Sequence, residues 1–123
     1  MGEGLVDIPL LVVDDRDDVL RGLRRYLGLH FGQIHTALTP AQAELVLETV
    51  SPPMLLCDYW LGDEFPPATV LIAEWRRRFP CVRRAALMTG TSGAALFGKD
   101  GIDAVFRKPF DLEAVVAFFS RPL

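Results

Sequence analysis

The chain has 123 residues and a mass of 13.7 kDa, enough for one domain whose core needs neither disulfide nor structural metal. Half of the residues are apolar and 24% are charged, which excludes a disordered or fibrous chain. The net charge of −3 argues against a nucleic-acid surface, the two cysteines against a secreted disulfide scaffold, and the lack of any apolar run near ~18 residues against a membrane protein. No basic-then-apolar leader opens the chain. Cys57 and Cys81 lie among apolar residues and read as buried thiols of a reducing, cytoplasmic compartment.

The elements alternate in type. Ile8–Val13 is a continuous apolar run bounded by charge, as a strand covered on both faces requires. Val19, Leu23, Tyr26 and Leu27 follow at helical spacing. Phe31–Ala37 alternates weakly and suits an edge strand. Thr39 then stands as an N-cap, with Pro40 at the first helical position and Gln42 closing a capping box. Ala43, Val46, Leu47 and Val50 form the apolar stripe of that helix. Met54–Cys57 is the next strand, and a helix from about Pro67 is expected to bury Val70, Leu71 and Trp75. It carries Arg76, Arg77 and Arg78 at its end and stops at Pro80. Ala85–Met88 is a fourth strand. Gly93–Gly98 holds at most a turn or two of a short fourth helix, Ala104–Phe106 is the last strand, and Asp111 caps a final helix bearing Val115, Val116, Phe118 and Phe119.

A βαβαβαβαβα order implies an α/β fold with a parallel sheet and helices on both faces. Five strands suit the doubly wound, flavodoxin-like order 2-1-3-4-5, with residues 1–123 as a single domain. In such sheets ligands bind beyond the carboxyl ends of the strands. On that edge the sequence places Asp14 and Asp15 after the first strand, Asp58 after the third, Thr89 after the fourth, and Lys108-Pro109 after the fifth.

These residue types make one chemistry. Three carboxylates repel one another unless a cation intervenes, and carboxylate oxygens with waters suit Mg²⁺. An Asp can be phosphorylated as a nucleophile, while a Lys and a Thr hydroxyl stabilise phosphoryl oxygens. Val12-Val13-Asp14-Asp15, Asp58, Thr89 and Lys108-Pro109-Phe110 together resemble the signature of response-regulator receiver domains, over nearly the whole chain from Pro9 to Phe119.

The resemblance implies that Asp58 accepts a phosphoryl group from a histidine kinase or phosphotransfer protein. It implies that Asp15 binds Mg²⁺ directly, Asp14 acts through a metal-bound water, and Asp58 and the backbone carbonyl of Trp60 complete the protein's ligand set. Thr89 and Lys108 would contact the phosphoryl group, with a cis bond between Lys108 and Pro109. Such a domain is no enzyme toward an outside substrate; it transfers and loses only its own phosphoryl group. Its output is a separate protein or a covalently linked domain, with no role for nucleic acid or membrane.

Three features depart from that family. Its usual aromatic three residues before the Lys is Val105 here, with Phe106 one place along, so either the Thr–aromatic switch is absent or strand five is bulged. The segment between Thr89 and Lys108 is short. The loop after Asp58 exposes Trp60, and Gly90 leaves the other side of the site open. These departures motivate the alternative of a degenerate receiver that binds or dimerises without phosphorylation. Arg76–Arg78 and Arg83-Arg84 read as a solvated helix end and loop, Trp75 as core, and His30 and His35 as surface or edge histidines. On the first helix, Arg21, Arg24 and Arg25 suit kinase docking, which the resemblance implies, as well as they suit a plain solvated face.

Overall fold

The structure is a computed structural model and describes residues 5–90, 101–109 and 111–123. Its elements are β1 (Leu10–Val13), α1 (Asp17–Leu27), β2 (Ile34–Ala37), α2 (Pro40–Thr49), β3 (Met54–Asp58), α3 (Ala68–Arg78), β4 (Arg84–Thr89), β5 (Ala104–Arg107) and α4 (Leu112–Ser120). The short helix expected at 93–98 lies outside the described residues. All strands are parallel, in the order β2-β1-β3-β4-β5. This is the flavodoxin-like arrangement that the alternation implied.

Strand side chains alternate between two apolar layers. Leu11, Val13, Leu55, Cys57, Ala85 and Leu87 pack against α2 and α3. Leu10, Val12, Met54, Leu56, Ala86 and Met88 pack against α1 and α4. Because helices cover both faces, β1 has no polar side and all four of its residues are buried. Upstream of it, Val6 makes an isolated bridge to Phe31, which is a core residue rather than part of the edge strand.

Thr39 caps α2 as expected: its Oγ1 accepts from the Gln42 amide at 3.1 Å. The Gln42 side chain reaches back to the amide of Leu38 at 2.9 Å, one residue before the cap. The first bond satisfies an amide of the first turn that the helix itself leaves unpaired, and the second ties the residue before the cap to that turn. Thr39→Ala is expected to lower stability by about 1 kcal/mol, read as a lower urea midpoint at unchanged slope.

Several side chains sit differently from the sequence reading. Val70 is exposed, and α3 instead buries Ala68, Leu71, Ile72 and Trp75, whose i, i+3, i+4, i+7 spacing leaves Val70 on the outer face. On α1, Leu20 joins Leu23 and Leu27 in the core. Cys57 is buried but Cys81 is only half-buried, because it lies in the turn after α3.

The arginines are not all solvated. Arg76 donates to the carbonyls of Gly101 (2.7 Å) and Arg83 (3.1 Å) and to Asp103 (2.7 Å), tying α3 to the approaches to β4 and β5. Arg84 donates to the carbonyls of Phe118, Arg121 and Pro122 at the end of α4. Chain segments turn at that pole and leave carbonyls unpaired, and a guanidinium fork satisfies several at once. Arg77 and Arg83 do remain exposed. Trp75 is core, its indole N–H donating to Glu44 at 3.1 Å.

Candidate functional site

Each sequence-predicted residue falls on the carboxyl edge of the sheet. Asp14 directly follows β1, its amide donating to the Ala37 carbonyl at 3.1 Å, and is fully buried. Asp15, next in the chain, is exposed, and Asp58 ends β3 half-buried. The three residues bring carboxylate oxygens within 4.8 Å of one another.

Lys108 enters from the end of β5. Its amide donates to the Thr89 carbonyl at 2.6 Å, and the bond to Pro109 is cis. Its Nζ donates to Asp58 Oδ1 at 2.7 Å and lies 3.7 Å from Asp14 Oδ2. Thr89 is buried at the end of β4, and Trp60 is 45% exposed in the loop after Asp58. The next residue past the buried Thr89, Gly90, is exposed with open space around it.

The electrostatics follow from this crowding. Burial raises the Asp14 carboxyl to about 6; the bond from the Arg16 amide works against the rise, and the charge of Asp58 adds to it. For Lys108, burial alone would lower the ammonium's pKa, but its bond to Asp58 and the charges of Asp58 and Asp14 outweigh that and raise it. Burial, then the charges of Asp58 and Asp14, push the Cys57 thiol well up, so it offers no competing thiolate nucleophile next to Asp58.

The donor set fits a small hard cation. One oxygen of Asp14, Oδ2, is buried without a hydrogen-bond partner, since 3.7 Å to Lys108 is an ion pair and too long for a hydrogen bond. A buried carboxylate oxygen without a donor is costly. With Asp15 and Asp58 beside it, it forms an all-oxygen set of the kind Mg²⁺ takes.

β4 and β5 pair in unbroken register, with Leu87 opposite Val105 and Thr89 opposite Arg107. There is no bulge. Val105 packs in the layer of Leu87, while Phe106 belongs to the opposite layer and stacks edge-on against Phe118 at 5.9 Å. No aromatic of β5 therefore shares the sheet face of Thr89.

The sequence reading missed Arg16. Its amide donates to Asp14 Oδ1 at 3.0 Å, and it borders a cleft that also contains Lys108. The available signal was its position next to the acidic pair, at a helix start where an Arg is a poor cap.

No protein-family model matches the chain, and no curated protein matches it. Solved structures do. It is similar to the signal receiver domain of an HD domain-containing protein from Pseudomonas fluorescens Pf-5, at 20% identity and a TM-score of 0.80, over 92% of this chain and 91% of that one. The N-terminal receiver domain of a two-component response regulator from Bacteroides fragilis gives 22% identity and a TM-score of 0.79, over 91% and 93%. The isolated receiver domain of RcsB from Salmonella enterica serovar Typhimurium, solved in the presence of the phosphomimetic BeF3−, gives 20% and 0.76, over 90% and 86%. The chain has the fold of response-regulator receiver domains.

Proposed function

We propose that the chain is a phosphorylatable receiver domain of two-component signalling, with Asp58 as the acceptor. The observation that carries this reading is the 2.7 Å contact from Lys108 Nζ to Asp58 Oδ1, set beside three converging carboxylates at the carboxyl edge of the sheet. A lone strand-end Asp has many uses. An Asp held by a Lys next to a cation-binding set has the parts that phosphoryl transfer needs.

In the forward step a carboxylate oxygen of Asp58 attacks the phosphorus of a phosphohistidine on a histidine kinase or phosphotransfer protein. The Asp58 O–P bond forms as the N–P bond breaks, and the imidazole leaves with the electron pair and takes up a proton. Lys108, already bonded to Asp58, then meets the new phosphoryl oxygens. Thr89 supplies a hydroxyl from the end of β4. Asp14, Asp15, Asp58 and the Trp60 carbonyl would hold Mg²⁺, which neutralises charge on the phosphoryl group. Hydrolysis later returns Asp58, so the domain turns over only its own phosphoryl group. No helix among the described residues is long and apolar enough to cross a membrane.

The test is intact mass after incubation with Mg²⁺ and acetyl phosphate. Wild type gains one phosphoryl group, and folded Asp58→Asn gains none. Uptake that survives Asp58→Asn removes Asp58 from the role. One observation favours a second reading, in which the domain binds partners without phosphorylation: Phe106 lies on the sheet face opposite Thr89. Folded wild-type protein that takes up no phosphoryl group supports that reading.

A further inference from the structure

A cleft of about 480 Å³ opens between the start of α1 and the start of α4, and it reaches Lys108, which contacts Asp58. Arg16, Asp18 and Lys108 line it together with apolar Val19, Leu23 and Leu112. Among the described residues that line it, Arg16 and Lys108 are the two cations. Lys108 is already engaged by Asp58 and Asp14.

Arg16 gains little where it stands. It occupies the N-cap of α1, makes no side-chain capping bond to a backbone amide of the helix, and places a cation at the positive end of the helix dipole. Its guanidinium donates to both oxygens of Asp18, at 3.0 Å from Nη2 and 3.3 Å from Nε, but 67% and 60% of the two side chains are exposed, and water competes with such a pair. The backbone of Arg16 is nevertheless fixed at the site by its bond to Asp14.

The charge balance gives this cation a use. Asp14, Asp15 and Asp58 face one Lys, and Asp18 adds another negative charge at the rim. Lys108 and a bound Mg²⁺ would together offset the three carboxylates, which leaves Asp18 at the rim, when Arg16 no longer balances it, to repel a dianionic phosphodonor more than a monoanionic one. Resting on the receiver reading, we propose that Arg16 is a specificity-determining cation of this site: it leaves Asp18 and pairs with the phosphoryl oxygens of an incoming dianionic donor in the cleft it shares with Lys108. The positioned donor transfers its phosphoryl group to Asp58. With acetyl phosphate, the Asp58 O–P bond forms and the phosphorus–acetate bond breaks, acetate leaving with the electron pair.

The experiment compares uptake rates from acetyl phosphate, a dianion at neutral pH, and phosphoramidate, a monoanion, by intact mass. Arg16→Gln is expected to lower the ratio of the acetyl phosphate rate to the phosphoramidate rate by about fivefold, the scale of one partly exposed ion pair. Arg16→Lys, which keeps the charge, should restore most of the ratio, and added salt should shrink the wild-type preference. An unchanged ratio in Arg16→Gln, or a lowered ratio that Arg16→Lys does not restore, overturns the assignment, since the backbone bond from Arg16 to Asp14 survives both substitutions and a general disturbance of the site slows both donors together. Wild-type uptake is measured first: its absence from both donors sinks the receiver reading itself, whereas uptake with an unmoved ratio sinks only the role of Arg16.

Discussion

Asp14→Asn stabilises the metal-free protein at neutral pH by about 3 kcal/mol, as an upper figure. The folded state raises this carboxyl from 3.8 to about 6, chiefly because burial disfavours the charge. An unfolded chain gives up that proton near pH 4, while the folded one holds it to about pH 6. Between those values the native state binds more protons than the unfolded state, so stability falls as pH rises through the window. About one unit above pH 6 the penalty is nearly complete. An Asn keeps the oxygen that accepts from the Arg16 amide and removes the buried charge. Urea midpoints at pH 4 and pH 7.5 check this: the variant should gain most at pH 7.5 and little at pH 4. On the proposed reading Mg²⁺ should reverse the order, because wild type would bind it and gain stability by mass action, about 2.7 kcal/mol at a hundred times Kd. A variant no more stable than wild type at pH 7.5 would show that burial of Asp14 is not the dominant strain in the site.

Lys108→Met is expected to lower metal-free stability by about 2 kcal/mol and to tighten Mg²⁺ binding by about tenfold. Lys108 is the near cation for Asp58 and Asp14, and it retains its proton more tightly folded than unfolded. Its contribution is thus fully present below the ordinary lysine pKa of 10.5 and is lost as pH rises through the raised value. A third of its side chain meets water, so the loss is smaller than for a fully buried pair. Without it, three carboxylates stand unneutralised, and a divalent cation replaces the missing charge without competition. Calorimetric titration with Mg²⁺ reads the affinity, and weaker binding in the variant would show that Lys108 organises the carboxylates rather than competing for them.

The parallel sheet was legible because its strands lack a polar face. Runs such as Leu10–Val13 and Met54–Cys57 can be buried on both sides only where helices cover both sides. The site was legible for a related reason: apolar runs end abruptly in Asp14, Asp58, Thr89 and Lys108, and the fold rule places those ends on one edge. Side-chain detail was less legible. Val70 looked buried because it is apolar, but only the helix's rotation on the sheet selects Ile72 instead.

The order of the elements and the residue types at the strand ends therefore reside in the linear pattern, since burial period and charge placement are local properties. The tertiary structure alone decided which groups touch. It set Lys108 against Asp58 across 50 residues of chain, and it left one oxygen of Asp14 buried without a donor. It paired β4 with β5 in unbroken register, which turned Phe106 away from Thr89. It also recruited Arg76 and Arg84 as clamps on distant carbonyls. Contacts of this kind depend on distances between segments far apart in sequence, and no local periodicity encodes them.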